Sequence, residues 1–173
     1  RRALELAPPA HAVPLTDHYQ WWSYVPGANW RHPEGPRSDL QGRDLHPVVH
    51  VAWEDAVAYA AWRTRQARRR GEAATFRLPS IYEWEKAGRG VDGRVYPWGN
   101  TFDAGFIKRR KIHTFFEDLD PVGTYVKDES PYGVRDMAGS VIEWCEGWFD
   151  ERKLTKMYCG GTVFSGSSPS AFQ

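Results

Sequence analysis

The chain closes on KMYCGGTVFSGSSPSAFQ, residues 156–173, where a glycine pair, Gly160 and Gly161, separates one thiol, Cys159, from a run of serines. A thiol acts as nucleophile, redox group or soft-metal ligand as its thiolate, and only where a partner can reach it. Cys159 and Cys145 are the two cysteines of the chain. They can close one disulfide if neighbouring strands bring their α-carbons within about 4.4–6.8 Å. Two buried thiols are the plainer reading, and they leave the redox compartment open.

A second stretch with chemical potential is DMAGSV, residues 136–141. A carboxylate, Asp136, precedes a tight glycine turn, and such a turn can aim successive carbonyls at one point. That is the oxygen-rich shell a hard cation such as calcium prefers. Taken alone, these six residues read more plainly as an Asx-type turn capped by Asp136. His46 and His50 stand four apart, a metal-binding spacing on a helix, but Pro47, Val48 and Val49 make the segment extended. On a strand, positions four apart lie roughly 13 Å from one another, so structural roles fit both histidines better. The chain has no phosphate-binding glycine loop, no G-x-S-x-G elbow, no H-E-x-x-H and no C-x-x-C, so the common catalytic motifs are absent.

These residues must be positioned by a chain of 173 residues, 41% hydrophobic and 26% charged, long enough for one domain with a core. Nine tryptophans, eight tyrosines and eight phenylalanines accompany 16 glycines and 12 prolines. A core built of rings and a backbone built mostly of turns suit an irregular α+β domain. Residues 1–47 show no sustained periodicity and read as an ordered loop pinned by Trp21, Trp22 and Trp30. VVHVAW, 48–53, reads as a short β-branched strand. From Trp53 a 3.6-residue apolar period predicts a helix over 53–70, ending at Gly71. Its arginines Arg63, Arg65, Arg68, Arg69 and Arg70 read as a solvated helix end rather than an anion patch. Ser80 and Glu83 form a capping box that starts a second helix over 80–88.

Lys plus Arg is 23 and Asp plus Glu 22, a net charge of +1 that argues against a dedicated nucleic-acid or membrane-surface binder. No run of eighteen apolar residues exists, and the opening RRALELAPPAHAVPL suits neither a spanning helix nor a signal peptide. A soluble domain that meets a protein or small-molecule ligand is expected; its compartment is left open.

The stretch from YVPGANWRHPEGP to EDAVAYAAW is followed in order by RLPSIYEWEKAGRG, YPWGN, PVGTY, YGVRDMAGSVIEWC and CGGT. Together, over roughly residues 20–165, these motifs resemble the formylglycine-generating enzyme family, also called the sulfatase-modifying factor domain. NWRHPEGP is particularly like the formylglycine-generating branch, whereas DESPYGVR is more similar to relatives fused to bacterial serine/threonine kinases. The resemblance implies an irregular C-type-lectin-like α+β fold with two helices and little regular strand. It also implies that 1–173 is one domain lacking the family's N- and C-terminal segments.

For the sites, the resemblance implies one structural calcium held by the Asp136 side chain and the carbonyls of Met137, Gly139 and Val141. It implies loss of a second calcium site, because TFDAGFIKRRKIHTFFEDLD is basic and does not match. In the family's enzymes two cysteines after the glycine pair bind copper, which activates oxygen to convert a substrate cysteine into formylglycine. Aligned on the glycines, those positions are Ser165 and Ser170, with Thr162 at the preceding family serine. Neutral, hard hydroxyl oxygens cannot replace thiolates for Cu(I). The expectation is therefore no catalytic residue, no copper, and a binding module. Its ligand contacts are expected from Tyr158, Thr162, Phe164 and Ser165, with Trp30 and His32 of the earlier loop. The tail is also similar to the diversified terminal strands of variable proteins from bacterial diversity-generating retroelements. The competing expectation is a copper-dependent oxidase acting on a sulfatase cysteine.

Overall fold

Two helices start where the side chains of the sequence tell them to. In the computed structural model, which describes residues 4–6, 22–107 and 119–161, α1 spans Trp53–Arg69 and α2 spans Ile81–Arg89. At the head of α1 the Asp55 carboxylate accepts from the Ala52 N–H at 2.9 Å. Acidic Glu54 and Asp55 occupy the first turn and basic Arg68 and Arg69 the last, each sign matching the end of the helix dipole it faces. At α2, Ser80 Oγ accepts from the Glu83 N–H at 3.2 Å while Glu83 Oε2 accepts from the Ser80 N–H at 2.8 Å. Arg77 then holds the same carboxylate through a salt bridge of 2.5 Å. Gly90 ends the helix at φ 72°, where a Cβ would also come 3.0 Å from the Pro131 ring. Both helices fall within one residue of the ranges read from the sequence.

The described residues group into two compact units, one holding those up to Val51 with 119–122, the other holding 52–107 and 123–161. In the first unit, β1 (Leu4–Leu6) pairs antiparallel with β2 (Trp22–Tyr24). The loop that follows is tied by its own backbone. Asn29 and His32 exchange two hydrogen bonds of 3.0 Å, His32 Nδ1 donates to the Ser38 carbonyl at 2.6 Å, and Val122 N–H donates to the Leu45 carbonyl at 2.7 Å. The strand expected over 48–53 is absent. His50 takes a left-handed φ of 55° and its Nε2 donates to the Pro33 carbonyl at 2.9 Å. A non-glycine residue turned this way cannot continue a pleat.

In the second unit, β3 (Glu143–Trp148) pairs antiparallel with β4 (Lys156–Cys159), in the register Glu143 to Cys159 and Trp144 to Tyr158. The register shifts between Trp144 and Trp148, where Gly147 adopts φ 105°; a bulged strand bends there. Several contacts fasten the helices and their approach to this sheet. Glu146 N–H donates to the Pro79 carbonyl at 2.7 Å, Trp53 Nε1–H donates to the Cys145 carbonyl at 3.0 Å, and the Lys156 ammonium sits 3.7 Å from the Trp53 ring centre and 3.4 Å from that of Trp148. Trp84, 6% exposed, is the large ring of the core, packed with Met137 and Cys145 and bordered by Ala87, Met157 and Cys159. Truncating a buried ring of this size costs about 3–5 kcal/mol. The described residues have an α+β fold with two helices and two short sheets, and no described helix is long and apolar enough to cross a membrane.

The α2 cap yields a direct test. Ser80→Ala removes the side-chain acceptor and should lower unfolding stability in urea by about 1 kcal/mol at pH 7. The hydrogen bond from Arg77, first, and then those from Ser80 hold the Glu83 carboxyl down at about 2. A depressed carboxyl contributes stability above its unfolded value, and that stability is lost as pH falls toward the folded one. Between pH 4.5 and about 2 the urea midpoint should therefore drop less steeply in Glu83→Gln than in the wild type.

Candidate functional site

Turn 136–141 is built from both sides. Asp136 and Ser140 adopt left-handed φ angles of 62° and 73°, a conformation that asparagine and aspartate tolerate better than most residues. Asp136 Oδ2 accepts from the Gly123 N–H at 2.7 Å, and Val141 N–H folds back on the Gly139 carbonyl at 3.1 Å. Asp136, Met137, Gly139 and Val141 thus share one turn. Met137 and Gly139 are buried.

Two carboxylates that the sequence reading did not single out lie beside it. Asp128 is 2% exposed; its Oδ2 accepts from the Ala138 N–H at 3.0 Å, whereas its Oδ1 is buried with no hydrogen-bond partner among the described residues. Burial, aided by the neighbouring Asp136 charge, pushes the Asp128 carboxyl up to about 6. Glu143 opens β3 and accepts from Trp84 Nε1–H at 2.6 Å. Burial first, and repulsion from Asp128 and Asp136 second, push Glu143 up to about 7. Three acidic groups therefore feel one another around a single turn. Asp128 sits in KDES, which reads as a solvated charged loop, and nothing local distinguishes it.

The glycine pair meets the same turn. Gly160, at φ 92°, has its missing Cβ position 3.3 Å from the Val141 carbonyl oxygen, 3.5 Å from Glu143 Oε2 and 3.6 Å from Trp84. Only a residue without a side chain combines that φ with that proximity. Of the two thiols, Cys145 belongs to the core and Cys159 is partly buried against it. Cys145 is fully buried, and burial together with a hydrogen bond to Cys159 pushes its thiol up to about 12. Burial also raises the Cys159 thiol. Neither cysteine is in a disulfide, and neither is tuned toward a thiolate.

Among the described residues no three or more His, Cys, Asp or Glu side chains are arranged to hold a metal. A cation at the turn would draw on backbone carbonyls together with carboxylates. The orphaned Asp128 Oδ1 fits that demand, since a buried anionic oxygen without a donor is costly until a positive charge meets it. An all-oxygen donor set is the chemistry of a hard ion.

The residues expected to contact a ligand belong to both units. Tyr158, 46% exposed, stands edge-on to Trp144 with ring centres 6.3 Å apart. In the first unit, Trp30 is 44% exposed and borders a cleft of about 270 Å³ together with Pro33, Leu40, Arg43 and His46. His32 is held by the Ser38 carbonyl, as described above. Thr162, Phe164, Ser165 and Ser170 lie outside the described residues, as do residues 108–118 of the segment expected to have lost a second calcium.

Comparison with known proteins places these features. The sulfatase-modifying factor enzyme 1-like domain profile matches residues 10–172. A formylglycine-generating enzyme of Thermomonospora curvata is 42% identical over 141 residues, covering 75% of this chain and 42% of that protein. An inactive C-alpha-formylglycine-generating enzyme 2 of Mus musculus is also 42% identical, over 133 residues, covering 72% of this chain and 39% of that protein. The crystal structure of CarF aligns with a TM-score of 0.54 at 25% identity, over 72% of this chain and 59% of that one. The chain spans less than half the length of these curated relatives.

Proposed function

The chain belongs to the sulfatase-modifying factor enzyme 1-like domain family, and we propose that it is a non-catalytic binding module built on that scaffold. One observation carries the reading. The chain has two cysteines, and both precede the glycine pair, Cys145 in the core and Cys159 partly buried against it, where burial raises both thiols. At the two positions where the resemblance expects copper-binding cysteines, the chain has Ser165 and Ser170. A soft ion binds thiolates far better than hydroxyls. Relatives of similar identity include both formylglycine-generating enzymes and inactive ones, so family membership is compatible with either outcome, and the donor atoms are what supports the non-catalytic reading.

The ligand of such a module is a protein or small molecule. Tyr158 offers an exposed ring, and in the sequence after the glycines Thr162, Phe164 and Ser165 add one further ring and two hydroxyls. Aromatic anchors beside small adaptable residues are a common composition of binding loops, and a tail diversified between sibling sequences would serve that role. Trp30 and His32 are a second candidate contact segment. A single calcium at the 136–141 turn completes the reading. Asp136 would supply a carboxylate and Met137, Gly139 and Val141 carbonyls, holding rigid the turn against which Gly160 packs.

Two outcomes test this. Incubated with copper, oxygen and a cysteine-containing sulfatase peptide, the domain should yield no formylglycine above a no-enzyme control by mass spectrometry; turnover would establish the copper-dependent oxidase instead. Calcium added after EDTA should raise the melting temperature by mass action. About 2.7 kcal/mol of stabilisation is expected at a hundredfold excess over Kd. Asp136→Ala should lose most of that gain, and an unchanged melting temperature at millimolar calcium would remove the ion from the proposal.

A further inference from the structure

Asp128 lies outside the proposed calcium set, in the chain segment that precedes the turn. Its two oxygens are treated unequally. Oδ2 accepts from the Ala138 N–H at 3.0 Å, which holds the carboxylate against the turn, while Oδ1 is buried and has no hydrogen-bond partner among the described residues. A second tie runs through the backbone, where the Asp136 N–H donates to the Asp128 carbonyl at 3.3 Å. Ser130, 5% exposed, braces the hairpin between them, its Oγ accepting from the Val134 N–H at 3.2 Å. The side chain is therefore fixed in place, 2% exposed, with one oxygen unused. Native proteins rarely leave a buried polar atom in that condition.

A carboxylate whose only role was to cap Ala138 would need one oxygen, and an asparagine would serve as well. A second, donor-free oxygen at the same place implies a positive partner. We infer that Asp128 supplies a buried carboxylate oxygen to a hard divalent cation at the 136–141 turn, adding a second chain segment to its ligands. This rests on the calcium reading of that turn. Two carboxylates, Asp128 and Asp136, favour a divalent over a monovalent ion, and oxygen donors without thiolate or imidazole favour calcium over zinc or copper. Because Ala138 already holds Oδ2, little side-chain freedom is lost when the ion arrives.

Asp128→Asn is the informative variant, since its amide oxygen can still accept from the Ala138 N–H. Wild type, Asp128→Asn and Asp136→Ala are titrated with calcium by calorimetry after EDTA treatment, and melted in EDTA and in calcium. Asp128→Asn should bind calcium at least tenfold more weakly. In EDTA it should melt no lower than the wild type, because an uncompensated buried charge has gone, and it should gain less from calcium. Equal affinity for wild type and Asp128→Asn would overturn the inference while leaving calcium at the turn. An equal loss of melting temperature in EDTA and in calcium would also overturn it, marking Asp128 as a structural cap. A wild type that neither binds calcium nor shifts its melting temperature removes the turn site and this ligand together.

Discussion

The hydrogen bond of 2.6 Å from Trp84 Nε1 to Glu143 Oε2 fixes the geometry on which the second unit depends. It joins α2 to the first residue of β3, so the capped helix and the sheet cannot shift independently. The strand that Glu143 opens is entered directly from the 136–141 turn, and Gly160, which follows β4, has its missing Cβ position 3.5 Å from the same carboxylate. One indole and one carboxylate therefore set the spacing between helix, turn and glycine pair. A Cβ at Gly160 would press on the Val141 carbonyl oxygen at 3.3 Å and meet Glu143 and Trp84 at ordinary contact distance.

That arrangement concentrates negative charge. None of the described ion pairs includes Asp128, Asp136 or Glu143, although arginines pair with acids elsewhere on the surface. Their polar contacts are neutral donors: the indole of Trp84 and the amides of Gly123 and Ala138. Neutral donors orient a buried carboxylate without cancelling its charge. A cation at this turn would complete the electrostatics as well as rigidify the loop, while the thiols, shielded behind Trp84 and Met137, are suited to packing.

What could be read from the sequence was what is decided locally. The Ser80–Glu83 box and the apolar period from Trp53 located both helices, because capping and periodicity act within a few residues. The β-branched run 48–51 misled, since His50 turns left-handed to reach Pro33, seventeen residues away, and no local signal announces that. Asp136 and its glycine turn were legible as a motif. Asp128 was not, because its significance comes from being buried against Ala138 rather than from its neighbours in the chain. Two free thiols were the plainer reading and both are free, but Cys145 alone is fully buried and Cys159 only partly so, and their approach follows from the register that sets Cys159 opposite Glu143.

Whether this scaffold binds or oxidises turns on where a soft metal could find thiolates. An anaerobic Cu(I) titration against a chromophoric chelator of sub-nanomolar affinity measures that directly. A module whose only thiols are the buried Cys145 and the partly buried Cys159 should take no copper from the chelator. A stoichiometric complex that outcompetes it, and that Cys159→Ser abolishes, would contradict the non-catalytic reading at its root.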